Sequence, residues 1–335
     1  MNETKIISDS NDDLLYAAGL IKKGLVVGMP TETVYGLGAD AGNEDAVRKI
    51  FEAKGRPSDN PLIVHICSMD MIKNIAHDIP ELAYRLAEKF WPGPLTMILP
   101  KKDTIPYITS GGLDTVGIRM PLSECARKLI ELSGRPIAAP SANRSGYPSP
   151  TAAMHVYNDM NGRIPVIIDG GECTVGVEST VISFDDENTV RILRPGYVTA
   201  ENLSEIAENV IIDSAVTSEL EKGQKAASPG MKYKHYSPEA DVVIIDSDSE
   251  KFRKFVAENA ADNVYFLAFD DDNENNVYSY GNTDSQQAHN LFSMLRSLDD
   301  KGAEKIYVRM PQKNGVGLAV YNRLVRAAGF EVISL

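Results

Sequence analysis

The sequence has few cysteines and lacks the patterns of disulfide and metal sites. Its three cysteines, Cys67, Cys125 and Cys173, are odd in number and widely spaced, and no C-x-x-C pair occurs. The five histidines form no H-x-x-x-H or H-E-x-x-H motif, and no cysteine lies at metal-ligand spacing from one of them. We therefore expect reduced core thiols and no structural zinc site or disulfide framework.

Long apolar runs are absent as well. No segment approaches the ~18 consecutive apolar residues that a membrane span needs, and MNETKIISDS at the start contains no apolar signal core. Of the 335 residues, 43% are apolar and 24% are charged, which is ordinary for a globular protein. At roughly 150 residues per domain, the sequence predicts about two domains and a cytoplasmic protein without a membrane partner.

The chain has fewer basic than acidic residues, and the difference varies along the chain. Residues 1–200 carry 20 basic and 25 acidic residues, a net charge of −5, whereas residues 201–300 carry 8 and 20, a net charge of −12. Residues 301–335 carry 6 and 2, a net charge of +4. Net acidity disfavours non-specific nucleic-acid binding by the whole molecule, although a local basic cleft within residues 1–200 is compatible with it.

Hydrophobic periodicity predicts two successive α/β regions. In the first, Asn43 is expected to cap a helix that stops at Gly55. The other helices predicted there cover 11–23, 80–90, 123–132, 151–157 and 203–208, and the strands cover 25–27, 62–66, 95–99, 115–120, 136–139, 166–169, 179–184 and 190–193. In the second region, strands at 242–245, 264–268, 305–309 and 330–334 alternate with helices at 251–258, 287–297 and 318–328. This alternation implies a parallel sheet with both faces covered.

A first polar segment, PTETVYGLGAD at 30–40, follows a predicted strand. It contains two glycines and three hydroxyls, and we expect a turn that exposes backbone N–H groups at the carboxyl edge of the sheet, where ligands of α/β proteins usually bind. The alternative is an ordinary strand and turn. The segment matches neither a P-loop nor G-x-G-x-x-G.

Lys54 and Arg56 form a second polar segment just after a predicted helix end. In an extended chain, residues i and i+2 face the same way. A lysine point charge beside an arginine fork suits a polyphosphate. The alternative is a cation pair that only stabilises the helix terminus.

Two further segments bring hydroxyl and amide groups to predicted strand ends. Ser141 and Asn143, within APSANRSG at 139–146, suit phosphate or hydrated Mg²⁺, but also suit a self-capped turn. VESTV at 177–181 and RPG at 194–196 complete the set. Without an evident nucleophile, these groups favour positioning and charge neutralisation, as in phosphoryl and nucleotidyl transfer. The residues alone thus predict a phosphate- or nucleotide-handling α/β enzyme.

These segments, taken in order, are similar to a known family. PTETVYGLGADA, K-x-R at 54–56, NPL at 60–62, S-x-N at 141–143, ESTV at 178–181 and LRPG at 193–196 resemble the YrdC-type domain of threonylcarbamoyl-adenylate synthases. SPGMKYKHYSP at 228–238, followed by an α/β tail, resembles the long two-domain form. The resemblance implies an α/β fold with a twisted open mixed sheet over 1–200, a linker closing over the active site at 201–240, and a smaller Rossmann-like parallel α/β domain over 241–335.

The resemblance also implies an activity and its partners. A nucleotidyltransferase of this family converts ATP, L-threonine and bicarbonate or CO₂ into threonylcarbamoyl-AMP and pyrophosphate, with Mg²⁺ accompanying ATP. The product serves threonylcarbamoyladenosine modification of tRNA next to the anticodon. We therefore expect transient contact with tRNA or with a tRNA-modifying protein complex, and no resident metal ligands.

Residue roles follow from the resemblance by position. Lys54 and Arg56 are expected to be catalytic. The expected ATP contacts are Arg56, Asn60, Thr115, Ser141, Asn143, Ser149, Arg194 and Tyr236. The expected L-threonine contacts are Thr33, His65, Arg119, Ala139 and Ser179, with Arg119 pairing the carboxylate. His65 as a satisfied core histidine and Tyr236 as linker packing are the alternatives.

Two other functions are compatible with related domains. Carbamoyl transfer in hydrogenase maturation resembles longer chains with an acylphosphatase-like part and Cys-rich zinc modules, which this sequence lacks. A double-stranded RNA- or tRNA-binding module without catalysis is disfavoured by the net charge of −5 over residues 1–200. No G-x-G-x-x-G follows 242–245, so we interpret the second region as lid support or a partner platform.

Overall fold

The structure is a computed structural model that describes residues 3–58, 60–216, 236–269 and 277–335. Within those residues, the strands form one sheet of eleven strands and a second sheet of five. The helices are α1 (Asn11–Lys22), α2 (Glu44–Lys54), α3 (Met69–Ile75), α4 (Glu81–Phe90), α5 (Glu124–Ser133), α6 (Ala153–Met160), α7 (Ala200–Leu203), α8 (Ser249–Asn259), α9 (Asp284–Asp300) and α10 (Gly315–Ala327). None of the described helices is long and apolar enough to cross a membrane.

The first sheet is open and mixed. Its strands are β1 (Lys5–Ile7), β2 (Val27–Met29), β3 (Gly36–Asp40), β4 (Ile63–His65), β5 (Leu95–Pro100), β6 (Thr115–Arg119), β7 (Ile137–Ala138), β8 (Val166–Ile168), β9 (Thr180–Phe184), β10 (Thr189–Arg194) and β11 (Asn209–Ile212). They are ordered β1-β8-β2-β3-β7-β4-β6-β5-β9-β10-β11. The pairs β4·β6 and β5·β9 are parallel, whereas β3·β7 and β5·β6 are antiparallel.

The second sheet is entirely parallel within the described residues. Its strands are β12 (Asp241–Asp246), β13 (Val264–Ala268), β14 (Val277–Ser279), β15 (Lys305–Arg309) and β16 (Val332–Ser334), in the order β14-β13-β15-β12-β16. The predicted fold class, a mixed open sheet followed by a smaller parallel α/β unit, is therefore confirmed.

Local signals at the ends of α2 act as predicted. The Asn43 side chain accepts hydrogen bonds from the backbone N–H groups of Asp45 and Ala46. Gly55 ends the helix in the left-handed region, with φ 63° and ψ 40°, where glycine adds no steric cost. The cap and the stop together determine where Lys54, the last residue of α2, emerges.

The turn expected within 30–40 does not extend over Gly36–Asp40, which is the interior strand β3. This part of the segment agrees with the alternative of an ordinary strand and turn. Its glycines are required by packing. A Cβ at Gly38 would lie 2.9 Å from Ile137 Cγ2 and 3.1 Å from Met29 Sδ. The neighbouring strands β2 and β7 therefore leave no room for a side chain, although glycine is disfavoured in strands.

Several short elements differ from the predictions. The helix expected at 203–208 instead begins at Ala200, because Thr199 and Asn202 form a capping box. The sequence analysis missed α3, β1, β11 and β14, which have three to seven residues each. Elements this short give too few periods for a pattern to be recognised. The predicted loops at 226–238 and 270–276 lie largely or wholly outside the described residues.

Helices cover the two faces of the first sheet. On one face, Leu14 and Ile21 of α1 and Leu129 of α5 pack against sheet residues such as Val27 and Ile137. The other face is covered by α2, α4 and α6, with Ile50, Leu86 and Val156 in the same cluster as Leu37 and Val64. Where helices cover both faces of the sheet, polar ligands can reach it at the ends of its strands.

The two sheets are joined by one apolar cluster. Val34, Val175 and Val177 of the first region pack with Tyr236 and with α9 residues that include Phe292. We call these residues the shared cluster. Gly176, with φ 83°, permits the close approach, because a Cβ there would overlap the backbone of α9 at Ala288 and His289.

Candidate active site

A single cleft collects most of the residues that the sequence analysis selected. It is lined by Thr31, Thr33, Val34, Tyr35, Gly36, Arg56, Pro61, Leu62, Ile63, His65, Arg119, Ala139, Pro140, Ser141, Glu178, Ser179, Arg194 and Tyr236. Nine of the fourteen predicted site residues are in this lining: Thr33, Arg56, His65, Arg119, Ala139, Ser141, Ser179, Arg194 and Tyr236. The other five, Lys54, Asn60, Thr115, Asn143 and Ser149, are not.

Strand pairing brings His65 and Arg119 together. They are register partners at the carboxyl ends of the parallel strands β4 and β6. His65 is buried, and within the described residues its Nδ1 atom has no hydrogen-bond partner. Burial, followed by repulsion from Arg119, lowers the pKa of His65 to about 3. The imidazole is therefore neutral at pH 7 and offers an acceptor or donor to a ligand.

Arg119 is held by an acidic partner that the sequence analysis did not select. Its Nη2 lies 2.5 Å from Glu32 Oε1, its Nη1 donates to Thr33 Oγ1 at 2.8 Å, and its Nε donates to the Gly93 carbonyl oxygen at 3.2 Å. Burial raises the pKa of the Glu32 carboxyl, but attraction and hydrogen bonding from Arg119 outweigh burial and leave that pKa below its usual value. The pair is thus ionised, and a ligand at Arg119 would share it with Glu32.

The extended conformation expected between Lys54 and Arg56 is wrong, because Lys54 ends α2 and the left-handed Gly55 turns the chain. The Lys54 Nζ atom donates to the carbonyl oxygens of Ser141, at 2.5 Å, and Asn143, at 2.6 Å. Burial, with repulsion from Arg56, holds the pKa of Lys54 well below its usual value. Lys54 therefore fixes the loop that follows β7, whereas the half-buried Arg56 lines the cleft.

The loop after β7 places Ser141 in the cleft and turns Asn143 inward. The Asn143 Nδ2 donates to the carbonyl oxygens of Arg144 and Tyr147, each at 2.8 Å. Asn143 thus shapes the loop, which agrees with the self-capped alternative. The Ser149 hydroxyl, further along, donates to Glu178 Oε1. Ser149 therefore acts behind the cleft wall.

Ser179 is fixed by two polar neighbours. Its hydroxyl lies 2.8 Å from Thr96 Oγ1, and Arg194 donates from Nε to the Ser179 carbonyl oxygen at 3.0 Å and from Nη2 to Ser179 Oγ at 3.1 Å. Burial, with repulsion from Arg323, lowers the pKa of Arg194 to about 10, which leaves it cationic at neutral pH. A Cβ at Gly196 would lie 2.7 Å from the Ser179 carbonyl carbon, so only glycine allows this approach.

Glu178 is a lining residue that the sequence analysis quoted within ESTV but did not select. Its Oε2 lies 2.8 Å from Nε of Arg323, a residue of α10 in the second region. Burial raises the pKa of Glu178, but Arg323 and Arg194 outweigh burial and leave that pKa below its usual value. The cleft therefore contains one buried carboxylate among Arg56, Arg119 and Arg194.

The last three positions are Thr115, Asn60 and Tyr236. Thr115 is the first residue of β6, pairs with Pro100 of β5 and is outside the lining. Asn60 is fully buried beside the undescribed residue 59, and among the described residues neither amide atom of its side chain has a hydrogen-bond partner. The ring of Tyr236 lines the cleft and packs 5.3 Å from that of Phe292, centroid to centroid. The linker motif preceding Tyr236, at 228–235, lies outside the described residues.

The arrangement suits an anionic ligand better than nucleophilic catalysis. Three arginines and several hydroxyls line the cleft, and no cysteine is among its lining residues. Burial raises the pKa values of Cys67, Cys125 and Cys173, which disfavours thiolates. Within the described residues, no group of three or more His, Cys, Asp and Glu side chains could hold a metal ion. Charge neutralisation and positioning are what these residues can supply.

Two family models match the chain in succession. One, described as "Telomere recombination" and named Sua5_yciO_yrdC, matches residues 19–196. The other, described as "Threonylcarbamoyl-AMP synthase, C-terminal domain", matches residues 198–329.

Relatives with this activity in their names match over nearly the full length. The threonylcarbamoyl-AMP synthase of Pyrococcus abyssi is 47% identical over 325 residues, which cover 95% of each chain. That of Bacillus subtilis is 43% identical over 339 residues, which cover 98% of this chain and 97% of the relative.

Solved structures agree with this similarity. The crystal structure of P. abyssi Sua5 complexed with L-threonine has a TM-score of 0.93 and 44% identity, and the match covers 99% of this chain and 100% of that one. The structure of Escherichia coli YciO, with 22% identity and a TM-score of 0.50, covers 58% of this chain and 96% of its own, and shows only a shared fold.

Proposed function

The chain belongs to the threonylcarbamoyl-AMP synthase family in its two-domain form, and from this premise we propose which residues of its cleft carry the reaction. The chain is a nucleotidyltransferase that makes threonylcarbamoyl-AMP for tRNA modification. Its substrates are L-threonine, bicarbonate or CO₂, and ATP. One observation supports a cleft-centred mechanism most directly: Arg56, Arg119 and Arg194 line a single cleft in a chain that is 44% identical to a protein solved with L-threonine.

L-Threonine binds at the ends of β4 and β6 in this proposal. Arg119 has five N–H donors, and its contacts with Glu32, Thr33 and Gly93 leave donors for a substrate carboxylate. The neutral His65 faces the same space and accepts a hydrogen bond from the substrate at Nδ1. A pKa near 3 makes His65 a poor general base at pH 7, so its role is orientation. Ala139, Ser179 and Thr33 complete the subsite.

ATP binds beside the threonine subsite in this proposal, because Arg194 bonds to Ser179. Arg56 and Arg194 neutralise the phosphates, and Ser141 donates a hydrogen bond from the loop after β7. Among the residues that the structure describes, the buried amide of Asn60 has no hydrogen-bond partner, which supports a role as a donor to a phosphate oxygen. Lys54, Asn143, Ser149 and Thr115 lie behind or beside the lining, and we assign them support of these ATP contacts. Tyr236 covers the nucleotide from the side of the second domain.

Mg²⁺ enters with ATP as part of the substrate. Mg²⁺ usually keeps several waters and is bound through phosphate oxygens and few protein ligands, which agrees with a cleft of hydroxyls and one carboxylate. The cleft residues then position the ion through the phosphates that they hold.

The reaction proceeds in two steps. The threonine amine attacks CO₂ and releases a proton, which gives a carbamate. A carbamate oxygen then bonds to the α-phosphorus of ATP, the bond to the bridging β-phosphate oxygen breaks, and pyrophosphate leaves. Arg56 and Arg194 offset the negative charge that develops on the departing phosphates. Exclusion of water protects the mixed anhydride product from hydrolysis.

We propose that residues 1–200 carry the catalytic cleft and that residues 241–335 form the second domain. The linker that the sequence predicts at 201–240 begins later than expected, because β11 (Asn209–Ile212) still pairs with β10 in the first sheet. The separate matches at 19–196 and 198–329 and the two sheets support this division. Transient tRNA or tRNA-modifying partners and a cytoplasmic location stay predictions.

Pyrophosphate release from ATP and Mg²⁺ tests the proposed function. We expect release only when L-threonine and bicarbonate are both present, with threonylcarbamoyl-AMP detected by mass spectrometry. Release without threonine would instead indicate a plain nucleotidase. No release together with salt-sensitive RNA retention would indicate an RNA-binding module.

A further inference from the structure

One arginine of the second domain bonds to a residue of the cleft lining and to the neighbour of another: Glu178 lines the cleft, and Pro195 follows the lining residue Arg194. Arg323 of α10 is fully buried. Its Nε lies 2.8 Å from Glu178 Oε2, its Nη2 donates to the Glu178 carbonyl oxygen at 3.1 Å, and its Nη1 donates to the Pro195 carbonyl oxygen at 2.7 Å. The planar fork of an arginine is suited to such multidentate binding. Arg323 therefore connects ESTV to LRPG from outside the first sheet.

The partners of Arg323 hold predicted ligand contacts. Glu178 accepts the hydrogen bond of Ser149 and precedes Ser179. Pro195 follows Arg194, whose guanidinium bonds to Ser179. A shift of Glu178 or Pro195 would thus move a hydroxyl and a cation of the cleft.

Arg323 also faces the residue that covers the cleft. Its guanidinium carbon lies 5.8 Å from the ring centroid of Tyr236, within the range of a cation–π interaction. Tyr236 adopts φ 64°, which is uncommon for a residue with a side chain. The surrounding contacts, with Arg323 and Phe292 among them, hold the ring at the cleft.

We propose, on the basis of the proposed function, that Arg323 is a positioning residue for adenylation. It sets the geometry of Glu178, Ser179 and Arg194, and it orients Tyr236 for ATP. The second domain is then part of the active site, beyond the lid support or partner platform that the sequence predicted. Arg296 of α9 connects the two domains at a separate place, by an ion pair of 2.7 Å with Asp159 and a 2.6 Å hydrogen bond to the Pro148 carbonyl oxygen.

The test compares Arg323→Lys with Arg296→Lys in the full chain. Both variants keep a positive charge and lose an arginine fork between the domains, but the Arg296 contacts end on residues outside the cleft lining. Melting temperature, kcat and KM for ATP and L-threonine are measured, together with ATP·Mg²⁺ affinity by calorimetry. We expect Arg323→Lys to lower kcat/KM and ATP affinity about tenfold or more, because small misplacements are costly in catalysis. We expect Arg296→Lys to lower mainly the melting temperature.

A double variant separates positioning from general loosening. If Arg323 acts through Glu178, the double variant that combines Glu178→Gln with Arg323→Lys has a kcat/KM no lower than that of the worse single variant. A folded Arg323→Lys protein with wild-type kcat, KM and ATP affinity would overturn the inference, as would equal losses in both lysine variants. A wild-type protein that binds ATP but releases no pyrophosphate would refute the proposed function instead, and the calorimetric comparison would still decide the role of Arg323.

Discussion

Arg56 and Lys54 are two residues apart in the chain and do different work. Arg56 lines the cleft and is half-buried, so Arg56→Ala should lower kcat/KM roughly 100-fold, the cost of losing one charge-stabilising donor. Its melting temperature should change little. Lys54→Ala removes a buried amine that donates to the carbonyl oxygens of Ser141 and Asn143, and should also reduce the free energy of unfolding by about 2–3 kcal/mol.

Steady-state pyrophosphate release and denaturant unfolding of the two variants check this distinction. Arg48→Ala on α2 provides the control, because Arg48 is exposed and is absent from the cleft lining. Equal loss of unfolding free energy in the Arg56 and Lys54 variants would contradict the different roles assigned to them, since it would show that both side chains support the fold.

His65 makes the stability of the fold depend on pH. Its pKa is about 3 in the folded chain because of burial and Arg119, and about 6.5 when unfolded. The unfolded chain therefore binds more protons between these values, so stability is complete above pH 6.5 and falls as the pH decreases toward 3. Between pH 7 and pH 5, we expect this residue to account for about 2 kcal/mol of the lost unfolding free energy.

Chemical denaturation of wild type and His65→Asn at both pH values measures that contribution. Between pH 7 and pH 5, the unfolding free energy of His65→Asn should fall by about 2 kcal/mol less than that of the wild type. His77→Asn is the matched control, because the His77 side chain is 48% exposed. Equal pH dependence in wild type and His65→Asn would show that the buried imidazole is not responsible.

At the scale of elements, close backbone contact is as important as side-chain chemistry. Gly196→Ala would place a Cβ in overlap with the Thr180 backbone nitrogen and 2.7 Å from the Ser179 carbonyl carbon, and this backbone cannot move away cheaply. We expect a loss of about 1–3 kcal/mol of unfolding free energy, as in overpacked cores, together with lower turnover because Ser179 moves. Thermal unfolding and pyrophosphate release report these two effects separately.

Gly19→Ala in α1 is the control for this substitution. A Cβ at Gly19 meets nothing within 4 Å, and replacing a helical glycine by alanine stabilises by roughly 0.5–1 kcal/mol. If Gly196→Ala caused no loss of unfolding free energy, LRPG and ESTV would lie further apart than the structure shows.

The sequence was informative about elements wherever their ends carry caps. Asn43 and Gly55 bound α2, and Pro80 precedes α4, as predicted. Strand β3 was missed because Gly36 and Gly38 satisfy a tertiary requirement, set by Ile137 and Met29, that local propensity does not contain. Tertiary packing overrides local preference there.

The site was predictable where a motif or the family resemblance supplied the residue. Ser179 of ESTV and Arg194 of LRPG line the cleft, as do Arg119 and His65, which only the resemblance implied. The direction of Lys54 depends on the left-handed Gly55, and the pairing of Arg323 with Glu178 joins residues 145 positions apart. No local pattern contains such long-range pairing, so an arginine that bonds to the cleft wall was indistinguishable from any other helix residue.

At the scale of the whole molecule, the shared cluster predicts that both sheets unfold together. Val34, Val175 and Val177 are buried against α9 and Tyr236, so separating the domains would expose apolar surface on each. We expect a single calorimetric transition for the full chain.

Val177→Asp places a carboxylate in this cluster, where an unpaired charge costs several kcal/mol, and should split the transition into two. Val332→Asp on β16, where the valine is 37% exposed, should leave a single transition. Two transitions in the wild-type chain would contradict this prediction, because they would show that the domains unfold independently. Arg323 could then influence the cleft only while the second sheet is folded, because α10 carries its contact with Glu178.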